Sequence, residues 1–378
     1  MRTSKRFAAV ALVATFGLVA AACGSDTKDA VTTAAPADTT APADTTAPAD
    51  TTAPADTTAP ADTTAPAEPT GDLTIGIAYD TGGRGDGTFN DSAARGADKA
   101  KTELGATIIE LEAATAEDRG PNLQNLTDAG ANPIIAVGFA FGDALAEIAA
   151  ANPDVSYAIV DGFIADAPAN ITFLGFAEQE GSFLVGAAAA LKSESGHIGF
   201  IGGQEIDLIK KFEAGYQAGA LAVNPDIIFE SQYLGAAGDN AAWGSPDKAK
   251  EIALGWYADG ADVVYTAAGG SGAGTIEAAV EAGKWAIGVD SDQWLTATPE
   301  QQAHILTSMI KSVDVSVFET AKAFQDGTLE GGFATYDLKV DGVGYATSGG
   351  FLDDVKDQLD KFKADIVAGT IVVPTTPS

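Results

Sequence analysis

The sequence predicts an α/β protein built from two doubly wound parallel-sheet units in series. Three observations predict it. From Leu73 onward, short and nearly continuous apolar runs alternate with amphipathic stretches of roughly 10–15 residues. Strands buried on both faces read this way, with helices covering them. The runs also fall into two series divided by one long helix, and residues 24 to about 71 ahead of them have a composition unsuited to a core.

Taken in chain order, the first series places strands at 73–79 (LTIGIAY), 106–111, 133–138, 155–160 and 171–176. The dividing helix runs from Glu178 to Lys192. It carries Phe183, Leu184, Ala187, Ala188 and Leu191 at helical spacing, and its acidic start complements the positive end of a helix. Phe183 is therefore expected in the core. The second series places strands at 197–202 (HIGFIG), 227–233, 262–267 and 285–290, and an apolar strand His304–Ile310 leads into Lys311.

The first 22 residues read as an export signal: Arg2, Lys5 and Arg6 precede a short apolar run, Phe7–Val19. That run falls short of the ~20 residues of a permanent membrane span. Ala20, Ala21 and Ala22 then lead to Cys23, which resembles a bacterial lipobox with Ala20 where Leu is usual. Cys23 is the chain's single cysteine, so no intrachain disulfide or cysteine-based metal site is possible, and it stands where a lipid anchor needs it. Residues 23–71 are expected to form a tether. The hexad Ala-Pro-Ala-Asp-Thr-Thr recurs from Ala35 to Thr64, and its prolines and aspartates favour an extended spacer.

The formal charge of −32 becomes −35 once the three cations of the signal are removed. Such a field repels polynucleotides and anionic membrane surfaces, yet leaves an uncharged small molecule free to bind. Two doubly wound units in an exported chain suggest a bilobed receptor, with a ligand held beyond the carboxyl ends of the strands. Polar residues cluster there: Asp80 after the first strand, Asp161 after 155–160, Gly269 and Gly270 after 262–267, and Asp290 after 285–289. The Gly-rich loop 80–91 lacks the Gly-Lys-Ser/Thr ending of a P-loop, and Asp80, Asp86 and Asp91 would repel phosphate. It suits hydroxyl and N–H donors. Asn90 or Asp91 is expected to cap the helix that follows. Phe89, flanked by polar residues, fits poorly as core. Lys311 would be costly if buried alone, which calls for pairing with Asp290 or a ligand.

Catalytic constellations are poor. His197 and His304 sit at strand starts and read as structural, and two histidines without cysteine ligands make no zinc site. Gly269–Ala273 misses the G-x-S-x-G elbow, and Asp290 with Asp292 only imitates a glycosidase dyad. No cofactor is expected.

The segment D-T-G-G-R-G-D-G-T-F-N-D-S-A at 80–93 resembles the opening signature of the basic membrane protein family. These are bacterial solute-binding lipoproteins that include a purine-nucleoside receptor. Further segments match in order: E-G-S-F-L-V-G at 180–186, I-G-F-I-G-G at 198–203, F-E-A-G-Y-Q-A-G-A at 212–220, A-D-V-V-Y-T-A-A-G-G-S-G at 261–272, I-G-V-D-S-D-Q at 287–293 and T-S-M-I-K-S-V-D at 307–314. The resemblance implies a type I periplasmic-binding-protein fold, two lobes joined by three crossings. The folded part, 72–372, divides on this reading into a first lobe of about 72–176 plus 305–328 and a second of about 177–290 plus 329–372. The crossings fall near 176–178, 291–305 and 326–331.

The resemblance also implies a nucleoside clamp. Phe89 would stack on one face of the base and Trp243 on the other, in a segment where the family carries Phe before Asp-Pro. Asp80, Asn90 and Asp161 would bind the base edge or nearby ribose atoms, Asp290 would accept from ribose hydroxyls, and Lys311 would donate to ribose oxygens. Gly269 and Gly270 would let the backbone approach the sugar. The implied output is delivery, from the extracytoplasmic face of the membrane, to an importer permease driven by a separate ATPase. A sugar-binding or sensory receptor of the same fold, and a nucleoside hydrolase using Asp290, stand as alternatives.

Overall fold

A computed structural model describes residues 73–378. The signal, Cys23 and the tether lie outside the described residues. Apolar runs with no exposed face become central strands. In β1 (Thr74–Tyr79) every residue after the first is buried, which is how a parallel strand covered on both sides must look. The chain continues through α1 (Phe89–Glu103), β2 (Thr107–Glu112), α2 (Arg119–Asp128), β3 (Ile134–Val137), α3 (Gly142–Ala151), β4 (Tyr157–Val160) and β5 (Ile171–Phe176). After α4 (Glu178–Lys192) the alternation repeats as β6 (His197–Gln204), α5 (Asp207–Val223), β7 (Ile228–Gly235), α6 (Pro246–Ala258), β8 (Val263–Ala267), α7 (Gly272–Ala282) and β9 (Trp285–Asp290). The short helix α8 (Pro299–Gln302) precedes β10 (Ile305–Lys311), and α9 (Val313–Gln325), β11 (Gly332–Tyr336), β12 (Val343–Tyr345) and α10 (Lys356–Val367) complete the chain.

The strands form two six-stranded sheets, ordered β11-β5-β4-β3-β1-β2 and β12-β10-β9-β8-β6-β7. All neighbours are parallel except β10 and β12. One face of the first sheet packs on α2 and α3 through Leu123, Leu126, Leu145 and Ile159. One face of the second packs on α6 and α7 through Ala249, Ala253, Ile276 and Ala279. A third cluster joins the remaining faces, with α1 and α9 on the first sheet and α4 and α5 on the second; Phe183 belongs to it. Among the described residues no helix is long and apolar enough to cross a membrane.

Lobe membership corrects the expected boundaries. β10, placed with the first lobe by its position in the chain, pairs with β9 in the second sheet. β11, placed with the second lobe, is the edge of the first sheet, against β5. The chain passes between sheets at Ala177, at Ser312 and between β11 and β12, so the crossings expected at 291–305 and 326–331 lie instead near 312 and 337–342. The reason is physical. An apolar run such as β10 announces a buried strand but not which sheet receives it, and β11 is half-exposed and offers no apolar run.

Candidate functional site

In each sheet the first strand of its series is central, with one neighbour on one side and the remaining strands on the other: β2-β1-β3-β4-β5 and β7-β6-β8-β9-β10. A crevice opens in such sheets beyond the strand ends, where the winding direction reverses. Here the loops after β1, β3 and β4 and those after β8, β9 and β10 line one cavity of about 260 Å³. Ligand pockets commonly run from about 300 to 1,000 Å³, so this one is sized for a single small molecule. All nine residues singled out in the folded part line it: Asp80, Phe89, Asn90, Asp161, Trp243, Gly269, Gly270, Asp290 and Lys311.

The loop between β1 and α1 is held by its own acids. Asp86 accepts hydrogen bonds from the backbone N–H groups of Thr88, Asn90 and Asp91, at 2.9, 2.9 and 3.1 Å. The carboxylate of Asp91 accepts from Gly85 and Gly87. Helix α1 begins at Phe89, so neither Asn90 nor Asp91 caps it; Asp86 serves its free N–H groups, correcting the expected cap. Asn90 is consequently fixed. Its Nδ2 donates to Asp86 at 3.1 Å, while its buried Oδ1 has no partner in the protein.

Asp80 is neutralised by Arg119, the first residue of α2, whose Nε and Nη2 lie 2.9 and 2.7 Å from Oδ1. Thr81 N–H donates to the same oxygen at 2.7 Å. Only Oδ2 is left for another donor. Sequence reasoning missed Arg119, because no motif links a helix start to a strand end 39 positions earlier.

Three charged side chains, Lys311, Asp161 and Asp290, occupy the floor, and Glu178 lies behind them. Lys311, 2% exposed, ends β10 and donates to Asp161 Oδ2 at 2.5 Å. Its ammonium also lies 3.3 Å from Glu178, and the rings of Phe176, Phe89 and Phe212 stand 5.0, 5.3 and 5.6 Å away. The expected pairing with Asp290 is thus replaced by Asp161 and Glu178, which reach Lys311 from the first lobe and from the first crossing. Asp161 Oδ1 is buried without a partner. Asp290 makes no side-chain hydrogen bond within the protein among the described residues, and burial pushes its carboxyl up to about 7, with Lys311 opposing the rise and Asp161, Asp86 and Glu178 adding to it. Burial likewise raises the Asp161 carboxyl against the pull of Lys311. Burial alone would lower the Lys311 ammonium, but its three carboxylate neighbours outweigh that and hold it above its ordinary value. Asp161 and Asp290 share a left-handed backbone, φ 63° in both, at corresponding strand ends. This conformation costs a non-glycine residue roughly 1 kcal/mol or more and is concentrated at functional sites.

Apolar walls complete the cavity. Trp243 lies along β6, where a side chain at Gly203 would collide with its ring, and it meets Phe139 of the first lobe edge-on at 6.4 Å. Phe139, Leu208, Ile209 and Phe212 also line the cavity and were not anticipated. Gly269 adopts φ 55°, which favours glycine. The two histidines are occupied elsewhere, His197 with Glu230 at 2.7 Å and His304 with the carbonyl of Lys284 at 2.8 Å. Asp292 accepts from Ser348 and does not line the cavity, so it forms no dyad with Asp290.

Known proteins resemble the chain in sequence and in fold. The chain is 36% identical to the ABC transporter nucleoside-binding protein BmpA of Lactococcus lactis, across 80% of this chain and 90% of that one. It is 35% identical to the CD4+ T-cell-stimulating antigen of Listeria monocytogenes, across 81% and 89%. Among solved structures, a solute-binding protein of an ABC transporter system from Aeropyrum pernix superposes with a TM-score of 0.68 at 26% identity, covering 80% of this chain and 94% of that one. The two sheets and the cavity between them are therefore those of a type I periplasmic-binding-protein fold. The family described as Bmp, ABC transporter substrate-binding protein PnrA-like, matches residues 74–377, and the chain belongs to that family.

Proposed function

We propose that this protein is a lipid-anchored receptor on the extracytoplasmic face of the cell membrane that closes on a nucleoside, purine favoured. It passes the ligand to the permease of an ABC importer whose ATPase is a separate subunit. The observation that carries the reading is the convergence on one apolar-walled cavity of unpartnered acceptors, Asn90 and Asp161 from the first lobe, with the Asp290 carboxyl from the second. Asn90 Oδ1 and Asp161 Oδ1 are buried without partners, and buried acceptors left unpaired cost about 1–3 kcal/mol each. A heterocycle with ring N–H donors satisfies them. Phe89 and Trp243 offer its two faces stacking worth roughly 1–3 kcal/mol per ring. The breadth of the apolar wall, extended by Phe139, Leu208 and Ile209, favours two fused rings over one. Asp290 accepts from the ribose hydroxyls, and Lys311 donates to ribose oxygens. Gly269 and Gly270 bring the backbone close to the sugar. The membrane anchor is the lipidated Cys23, with the repeat tether as spacer.

The Lactococcus relative named as nucleoside-binding supports the ligand class. Binding without turnover is the expected output. Native mass spectrometry of freshly purified protein should reveal a co-purified nucleoside, and calorimetry should show inosine binding far more tightly than free ribose. Asp290→Ala removes two charged hydrogen bonds of about 1.5–3 kcal/mol each and should weaken inosine binding roughly a hundredfold or more. Equal affinity for ribose would point to a sugar receptor, and release of hypoxanthine during incubation would make the protein a hydrolase.

A further inference from the structure

We propose that Glu178 is a positioning residue of the cleft, holding the Lys311 ammonium in place and setting the charge carried by the ligand-facing carboxylates. The inference rests on the nucleoside reading for the role of Lys311 and Asp290, but its central observation is geometric. Glu178 is the first residue of α4, immediately after the first crossing at Ala177, and is fully buried. It does not line the cavity, so a direct contact with ligand is not its task. Its carboxylate lies 3.3 Å from Lys311, and its Oε2 accepts from Lys211 of α5 at 3.2 Å.

Lys311 stands at the opposite end of the second crossing, one residue before Ser312. Glu178 therefore ties the first two crossings together, and Lys311 extends the tie to Asp161 in the first lobe. An ammonium ion-paired to Asp161 alone would lose its one close contact whenever a ligand donor competed for that carboxylate. Removing one partner of a buried pair is strongly destabilising, because the other charge is left uncompensated. With Glu178 present, Lys311 keeps a second anion that the ligand does not touch, and Asp161 is released to face the base. The aromatic ring of three phenylalanines excludes water from the same ammonium.

The groups facing Glu178 are Lys311 on β10, Lys211 on α5, the carboxylates of Asp161 and Asp290 at the ends of β4 and β9, and the Tyr265 phenol on β8. Glu178 makes ionisation of Asp290 harder, and Lys211, on the far side of Glu178 and favouring the charged form of Asp161, works in the opposite sense. Neutralising each in turn must then move the titration of Asp290 in opposite directions, which loss of packing alone would not do.

The test compares wild type, Glu178→Gln and Lys211→Met in two measurements. In the first, carboxyl-carbon NMR follows Asp290 in ligand-free protein from about pH 5 to about pH 9, with Asp290→Asn assigning the signal. Glu178→Gln should lower the midpoint, and Lys211→Met should raise it. In the second, calorimetry with inosine should show Glu178→Gln about tenfold weaker, with the pH limb of its affinity displaced in the same direction. Unchanged midpoints in both variants would overturn the proposal. Lys211 is a half-exposed side chain on a helix, so its variant decides the matter if Glu178→Gln does not fold. Wild-type protein that fails to bind inosine would sink the nucleoside reading, and the NMR midpoints would still judge Glu178.

Discussion

Asp290 illustrates how one residue sets stability against binding. Its carboxyl rises from an ordinary value of 3.8 to about 7, chiefly through burial. Between those values the folded protein holds a proton that the unfolded chain has given up, so stability falls as pH climbs from about 4 to about 7 and stays reduced above that. The penalty at pH 8 is on the order of a few kcal/mol. Asp290→Asn keeps the shape and removes the charge. It should raise the melting temperature of the ligand-free protein at pH 8, leave it nearly unchanged at pH 4, and weaken inosine binding at least tenfold. Calorimetric melts at the two pH values, alongside a binding titration, check all three. A variant both less stable at pH 8 and unimpaired in binding would show that Asp290 carries no such burden. The same residue marks the reach of sequence reasoning. A polar side chain at a strand end is legible as a candidate because strand ends line the crevice of every doubly wound sheet. The partner of Lys311 was not legible: Asp161 lies 150 positions away, and only the closed geometry of two lobes brings them to 2.5 Å.

At the scale of elements, α4 and α5 explain the run of small residues in the dividing helix and its neighbour. Gly186 faces the backbone of Tyr216, and Gly219 faces the carbonyl of Phe183; a Cβ at either position would collide with the opposing main chain. The two helices approach more closely than larger side chains allow, which lets α4 lie against the second sheet and carry Glu178 to Lys311, behind the floor of the cleft. Gly219→Ala should destabilise the protein by about 1–3 kcal/mol through overpacking, read as a lower melting temperature. Its inosine affinity should change little, because α5 contacts the cavity at its other end, through Leu208, Ile209 and Phe212. The long, strongly apolar elements were legible for the same reason that they are central: β1, β5, β9 and α4 fall at or within a residue of their expected bounds. β11 and β12 were not, since a largely exposed edge strand and one of only three residues carry no apolar pattern and are recruited by tertiary pairing.

The described residues form two copies of one plan facing each other. Asp161 and Asp290 end corresponding strands, β4 and β9, with the same left-handed backbone, and the cavity takes its polar groups from both copies. Such a site is complete only when the lobes are together, so affinity depends on the fraction of molecules in which they are. Contacts between lobes that avoid the ligand should then tune affinity as surely as contacts with it. Ser291, just past β9 in the second lobe, is one such contact. Its hydroxyl donates to the carbonyl of Thr88 at 2.8 Å and accepts from Arg95 Nη2 at 3.1 Å, both in the first lobe. Ser291 does not line the cavity. Losing hydrogen bonds of about 0.5–1.5 kcal/mol each lowers the closed population, and apparent Kd rises in inverse proportion to the competent fraction. Ser291→Ala should therefore weaken inosine binding by roughly two- to tenfold, mainly through faster release, with a larger radius of gyration for the ligand-free protein in small-angle scattering. Saturating inosine should return that radius to the wild-type value. An affinity loss without any change in the ligand-free radius would mean that Ser291 acts on the site locally, and that lobe closure is not what limits binding.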